Sequence, residues 1–292
     1  MAETFEALIE EVFSGGPTPP AVLRPDLPKK LERAILTALA KRWRLAEEPA
    51  RGVSRCYYDT FDWALFSDGG VLERLSQPRG AELRWVPLGP ESAVLTQVAR
   101  DPIGFAAELP EGPVRSRILG AAGIRRLLPV MDLETGVRTL GALDDDDKTL
   151  WRIAIEEGRF RDPRGGGTGE MAARLRVLPL RGYDTERDAL LEQLVLELGL
   201  SPAQLPPLVE ALEAAGRRPC DYSSKIDFRL DPQARADAVT KTILRGLLET
   251  LERNLPGARA NLDSEFLHDL RVACRRTRSA LTQIRGVLPR SV

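Results

Sequence analysis

The chain has 292 residues, with 42 Lys and Arg against 43 Asp and Glu, a formal net charge of −1, and 43% hydrophobic and 29% charged residues. That is the composition of a folded protein facing water, and any attraction for a polyanion must come from local patterning rather than overall charge. One histidine leaves almost no material for a zinc site or a Ser–His–Asp triad, and three scattered cysteines without a CxxC argue against a disulfide framework.

Residues 3–13 (ETFEALIEEVF) predict a short acidic helix, closed by the breaker cluster Ser14-Gly-Gly-Pro-Thr-Pro-Pro. No apolar run approaches the roughly 18 residues that span a membrane, and the N-terminal stretch lacks the basic-then-apolar order of a secretory signal. The expected location is cytoplasmic, without a membrane partner. Pro28 to Leu45 predicts an amphipathic helix, with Leu31, Ala34, Ile35, Ala38 and Leu39 at helical spacing and Pro28 in its first turn.

From Arg55 the pattern turns to short strands. RCYYDT is aromatic and β-prone, and DWALFSDGG is a helical turn ending on glycines. VLERL and ELRWVPL follow as strands, separated by the turn-rich SQPRGA. VLTQVA, LETGVRTLGAL, TLWRIAIEEGRF and MAARLRVLPL are further strand candidates. Asp144 to Asp147 reads as a solvated acidic turn. Gly165 to Gly167 closes another turn and lacks the helix and lysine of a phosphate loop. Glu82 and Arg84 share one face of their strand, as do Arg174 and Arg176. Two explanations stand for such charged faces: they look outward to water, or they line a barrel with a polar interior.

Helix returns over Asp184 to Leu198, with Leu190, Leu191, Leu194, Val195 and Leu198 as its stripe, and again over Pro202 to Ala215. The polar stretch 217–225 (RRPCDYSSK) marks a domain boundary. Beyond it come a helix from Ala234 to Arg253, a break at Asn254-Leu-Pro-Gly, and a last helix beginning near Glu265. In that last helix His268, Arg271, Arg275 and Arg278 fall within about 80° of one another. Phe266, Leu270, Ala273, Cys274, Thr277, Ala280, Leu281, Ile284 and Leu288 collect on the other side. Ordinary surface faces mix signs so that i,i+4 pairs form. Here like charges gather, and arginine suits bidentate contact with phosphate oxygens. An anion-binding surface and a plain solvated face both remain open on these grounds. Base stacking is not expected, because the nearest aromatic, Phe266, lies on the apolar side, so no specific nucleic-acid binding is expected.

The stretch FLHDLRVACRRTRSAL resembles the signature helix of CHAD domains, α-helical modules whose basic helices bind inorganic polyphosphate, and YSSKIDFRLDPQARADAVTKTILRGLLETLERNLPGA resembles the start of that domain. The resemblance implies binding of polyphosphate or a phosphate-rich anion through His268, Arg271, Arg275, Arg276 and Arg278, with Lys241 and Arg245 from the preceding helix. A CHAD domain has two helical halves, so residues 226–292 would be part of one.

YYDTFDWALFSDGGVLERL and RLRVLPLRGYDTERDALLEQL resemble elements of the CYTH domain, the triphosphate-tunnel barrel. The implied fold is α+β. An extension over 1–24 precedes a tunnel-like antiparallel β-barrel with flanking helices over 25–216, then a linker over 217–225 and a partial all-α CHAD-like segment over 226–292. The family's metal-binding Glu-x-Glu-x-Lys strand is missing from residues 1–60, so the expectation is a non-catalytic barrel without cofactor. Arg74, Arg84, Arg138, Arg152, Arg174 and Arg176 are candidates to line its tunnel. The alternative is a Mg- or Mn-dependent triphosphate or phosphoanhydride hydrolase using Glu73, Glu82, Glu108 and Glu156. In a third reading, the arginine helix contacts an acidic protein partner.

Overall fold

Alternation of apolar and charged residues along the strands produces a sheet with two unlike faces. In the computed structural model, residues 21–22, 28–77, 80–88, 93–179, 189–190, 192, 201–202, 205–223, 228, 230–284 and 287 are described. Helix α1 (Pro28–Ala40) leads into β2 (Arg44–Glu47) and β3 (Arg51–Asp59); β1 is the short Ala21–Val22. The one-turn α2 (Ala64–Ser67) precedes β4 (Gly70–Gln77), β5 (Gly80–Pro87) and β6 (Leu95–Val98). After α3 (Pro113–Ala122) come the long β7 (Leu128–Leu143) and β8 (Thr149–Asp162), then β9 (Gly167–Glu170), β10 (Arg174–Pro179) and β11 (Ser201–Pro202). Three helices complete the described chain: α4 (Pro207–Ala214), α5 (Ala236–Arg259) and α6 (Ser264–Gln283).

The strands form one antiparallel sheet in the order β11-β1-β10-β8-β7-β3-β4-β5-β6, with β2 added on β7 and β9 on β8. Its path is open: no pairing joins β11 to β6 among the described residues, so the expected closed barrel takes the form of a sheet with two ends. Two apolar cores cover its outer face. Ile35 and Leu39 of α1 pack on Leu140, Trp151, Ile153 and Leu175, and α2 and α3 pack on Leu72, Leu83 and Trp85 through Leu65, Val114 and Ile118. A third core seals one end of the inner face, where Leu208, Ala211 and Leu212 of α4 meet Tyr57, Val71, Leu133 and Phe160.

Several boundaries differ from the sequence expectation. The helix predicted to Leu45 ends at Ala40, because Trp43 packs edge-on against Trp151, ring centroids 5.0 Å apart, and Arg44–Glu47 pairs with β7. The break expected at Asn254-Leu-Pro-Gly is absent, and α5 runs through Pro256 to Arg259. Packing overrides local propensity there. Asn254 is fully buried, its amide donating to Tyr222 Oη at 2.6 Å and to the Thr250 carbonyl at 2.8 Å. Gly257 lies under the Phe266 ring, so close that a Cβ would stand 2.3 Å from it. The acidic helix over 3–13 lies outside the described residues, as does nearly all of the helix expected over 184–198.

The hairpin of α5 and α6 is fastened to the sheet by a mixed seam. Phe61 packs at a tilt against Tyr222 and Phe266, ring centroids 4.5 and 4.6 Å apart. Arg125 reaches Asp62 at 2.9 Å and Glu265 at 3.5 Å. Asp263 caps α6 by accepting from Glu265 N and Phe266 N, while its other oxygen accepts from Arg126 N at 2.9 Å. The segment expected to link the two halves is held as well, with Asp221 accepting from Trp63 Nε1 at 2.8 Å and Arg217 bonded to Asp162 and Asp221 at 3.1 Å.

Candidate functional site

Strand register decides which charged residues look inward. Arg55 and Tyr57 alternate along β3, and Tyr57 pairs with Glu73 of β4, which in turn faces Arg84 of β5. Across the sheet Glu156 of β8 lies opposite Arg174 of β10, and Arg176 is two residues further along the same face. Arg55, Glu73, Arg84, Glu156, Arg174 and Arg176 are all between 3% and 8% exposed. These charges are therefore buried on the face of the sheet that α4 seals at one end.

Three of the four buried guanidiniums, Arg84, Arg174 and Arg176, are ion-paired. Arg176 Nε approaches Glu156 Oε1 at 3.1 Å without hydrogen-bond alignment, Arg84 meets Glu82 at 3.1 Å, and Arg174 pairs with Glu210 of α4. Arg55 donates to Thr135 Oγ1 at 3.2 Å. Burial works against the charge on Arg55, yet Glu156, Glu73 and Tyr57 more than offset it and hold its pKa above the ordinary arginine value. Arg176 goes the other way: burial, together with Arg55 and Arg174, outweighs the attraction of Glu156 and lowers its pKa. Burial likewise pushes the Tyr57 hydroxyl up.

Of the six arginines expected to line a tunnel, Arg84, Arg174 and Arg176 are in the interior, and Arg152 shares the face of Glu156 near its edge, 3.0 Å from Glu48. Arg74 and Arg138 are corrections. Both occupy outward positions in their strands, where they pair with Asp101 and Glu47. Arg55 was missed, although the period-2 run Val53, Arg55, Tyr57 carries the signal. The outer face of β3, β7 and β8 bears an open cleft of about 700 Å³ beside Arg74, Arg159 and Arg161, whose charges are spent on Asp101, Glu170 and Asp132.

The donor set does not fit a divalent metal ion. Glu73, Glu82 and Glu156 stand among arginines rather than beside one another, and no group of three or more His, Cys, Asp or Glu converges among the described residues. Glu108, the fourth candidate, is exposed and accepts from Phe105 N at 3.3 Å in a 3-10 turn.

In α6 the basic residues have a different setting. His268, Arg271, Arg275, Arg276 and Arg278 are exposed along one continuous helix, and none has an ion pair with a described residue. Phe266 and Ala273 are buried on the opposite side, with Leu270, Thr277, Ala280 and Ile284 half-buried; Cys274 and Leu281, expected on that side, are exposed. On α5, Lys241 and Arg245 are exposed, Lys241 lying 3.5 Å from Asp237. The acids at the start of α6 are drawn away from its basic face: Glu265 goes to Arg125, and Asp269 accepts from Tyr222 Oη at 3.4 Å.

Residues 242–292 match the family model of the CHAD domain, a span that opens inside α5 and includes all of α6. No curated protein matches the chain. Among solved structures, a Bacillus halodurans protein described as a candidate adenylate cyclase is similar over 64% of this chain and 91% of its own, at 11% identity and a TM-score of 0.42. A Hippeastrum protein described as a candidate adenylyl cyclase with dominant triphosphatase activity is similar over 70% of this chain and 98% of its own, at 13% identity and a TM-score of 0.37. Neither likeness bears on function.

Proposed function

We propose that this chain, whose residues 242–292 match the CHAD domain, binds inorganic polyphosphate or another phosphate-rich polyanion through α6, and that its sheet does not catalyse. His268, Arg271, Arg275, Arg276 and Arg278 form the contact, with Arg245 and Lys241 beside it on α5. The observation that carries this reading is the contrast in pairing. Arginines across the sheet are matched to carboxylates, whereas those of α6 stand in water with no ion pair to a described residue. A row of unopposed guanidiniums repels itself, and an anionic polymer relieves that repulsion while adding charge-assisted hydrogen bonds.

The test is a titration of the purified protein with polyphosphate and with duplex DNA across a salt series. Preference for polyphosphate, weakening steeply with salt, is the expected result. Binding to an acidic protein that survives high salt would instead assign the face to a protein interface. Incubation with triphosphate and Mg or Mn is expected to release no phosphate, and release would overturn the non-catalytic reading of the sheet.

A further inference from the structure

Where the hairpin of α5 and α6 meets the sheet, the seam holds a small recess. Asp62 and Arg125 line it from the sheet side, and Asn254, Asp263, Glu265 and Asp269 from the hairpin. Its volume of about 10 Å³ admits one body the size of a water molecule. Asn254 is fully buried there, and its Nδ2 donates to Tyr222 Oη at 2.6 Å and to the Thr250 carbonyl at 2.8 Å. Those two contacts fix the amide, because turning it over would set Oδ1 against the Thr250 carbonyl oxygen. Oδ1 is left buried with no hydrogen-bond partner among the described residues. A buried acceptor without a donor is rare in folded proteins and calls for an occupant.

The charges of the recess lean the same way, with four carboxylates against one guanidinium. Asp62 and Glu265 share Arg125, at 2.9 and 3.5 Å. Asp263 is occupied by the backbone N–H groups of Glu265, Phe266 and Arg126. Asp269 accepts from the Tyr222 hydroxyl at 3.4 Å, the same hydroxyl that takes the Asn254 amide. Burial, and after it the charge of Glu265, raises the pKa of Asp269 above the ordinary carboxylate value, as befits a negative charge short of compensation. Two acceptors, Asn254 Oδ1 and the Asp269 carboxylate, thus lie together through Tyr222 and lack a cation or donor. No group of three or more His, Cys, Asp or Glu converges among the described residues, as magnesium or calcium would require. Potassium and ammonium ions are close to water in size, and neutral amide oxygens replace water around potassium readily.

We propose that this recess is a monovalent-cation site, taking potassium or ammonium between Asn254 Oδ1 and the Asp269 carboxylate. The ion fastens the hairpin to the sheet by offsetting carboxylates that the two contribute to one seam. Asp269 stands on the side of α6 away from Arg271 and Arg275, and the site does not rest on the binding of a polyanion.

Thermal unfolding of the full chain in potassium, ammonium or choline chloride, at equal ionic strength, tests the site. Choline is too large for the recess and sets the baseline. The midpoint is expected to rise by about 2–4 °C in potassium or ammonium at roughly ten times the dissociation constant. The ion that acts at the lower concentration is the occupant. Asp269→Asn removes the charge and brings an N–H donor for Asn254 Oδ1, so it is expected to keep the choline midpoint and lose the response. Glu252→Gln, on the exposed side of α5 and outside the recess, is expected to respond as wild type does. In crystals of the full chain, thallium(I) in place of potassium is expected to give an anomalous peak beside Asn254 Oδ1. Equal midpoints in all three salts overturn the site and leave Asn254 to a water or to a proton on Asp269. A response that survives Asp269→Asn, or is lost in Glu252→Gln, overturns it as well. Should Asp269→Asn fail to fold, the thallium peak decides: its presence in the recess upholds the site and its absence overturns it.

Discussion

In the sheet, Arg55, Arg84, Arg174 and Arg176 point inward and stand among Glu73, Glu82, Glu156 and Glu210; in α6, Arg271, Arg275, Arg276 and Arg278 point to water and meet no carboxylate among the described residues. The two clusters answer to different physics. A guanidinium taken out of water loses several kcal/mol of solvation, which only close counter-charges and hydrogen bonds offset, so the interior cannot fold without its partners. On an exposed helix face the solvation is never lost, and folding places no demand on the identity of these side chains. Pairing, rather than the number of arginines, separates a structural cluster from one open to a ligand.

The fold is most sensitive to the charges inside the sheet. Glu156→Gln removes the carboxylate nearest Arg176 and the largest attraction on Arg55, and is expected to destabilise the fold by about 3–5 kcal/mol in urea unfolding. Replacing the pair together, Arg176→Met with Glu156→Leu, is expected to cost much less; an equal loss would mean that Glu156 acts through something other than charge compensation.

Asp59 sharpens the same point, as a buried carboxylate met by backbone N–H groups of Thr60, Leu65 and Phe66 rather than by a guanidinium. Burial pushes its pKa up to about 6, against the pull of those three donors. Because the folded value lies above the unfolded one, the folded state holds the proton more tightly. Its contribution to stability is therefore complete below the unfolded pKa and is lost as pH rises through the folded one. Unfolding free energy is expected to fall by about 2–3 kcal/mol between roughly pH 4 and pH 6, and Asp59→Asn is expected to flatten that slope.

Gly257→Ala attacks the seat of the hairpin without touching its charge. The new Cβ would strike the Phe266 ring, and a loss of about 1–3 kcal/mol is expected by thermal unfolding. The smallest effect belongs to exposed pairs: Arg44→Ala, which removes the contact with Asp147, is expected to change stability by less than about 1 kcal/mol.

Much of this was legible in the sequence, and the failures have physical causes. The last helix and its basic face follow from a 3.6-residue period that packing reinforces, with Asp263 capping where the chain enters. Strands β4, β5 and β8 were readable from alternation. Which way their charges pointed was not, since outward and inward faces give the same period-2 pattern; Arg74 and Arg84 lie in adjacent strands on opposite faces. Pro256 misled because a local breaker signal yields to the buried Asn254 and the Gly257–Phe266 contact, both made across tens of residues or by a neighbouring helix. The seam between sheet and hairpin left no local trace, because Phe61, Tyr222 and Phe266 come together from three separate segments.

In the proposed function the unpaired arginines of α6 take the anion. Retention of Arg271→Glu/Arg275→Glu on immobilised polyphosphate at moderate salt tests it most directly. The expected result is loss of retention with the thermal midpoint unchanged, both positions being exposed and without ion pairs to described residues. Retention equal to wild type in a folded variant would contradict the assignment of that face.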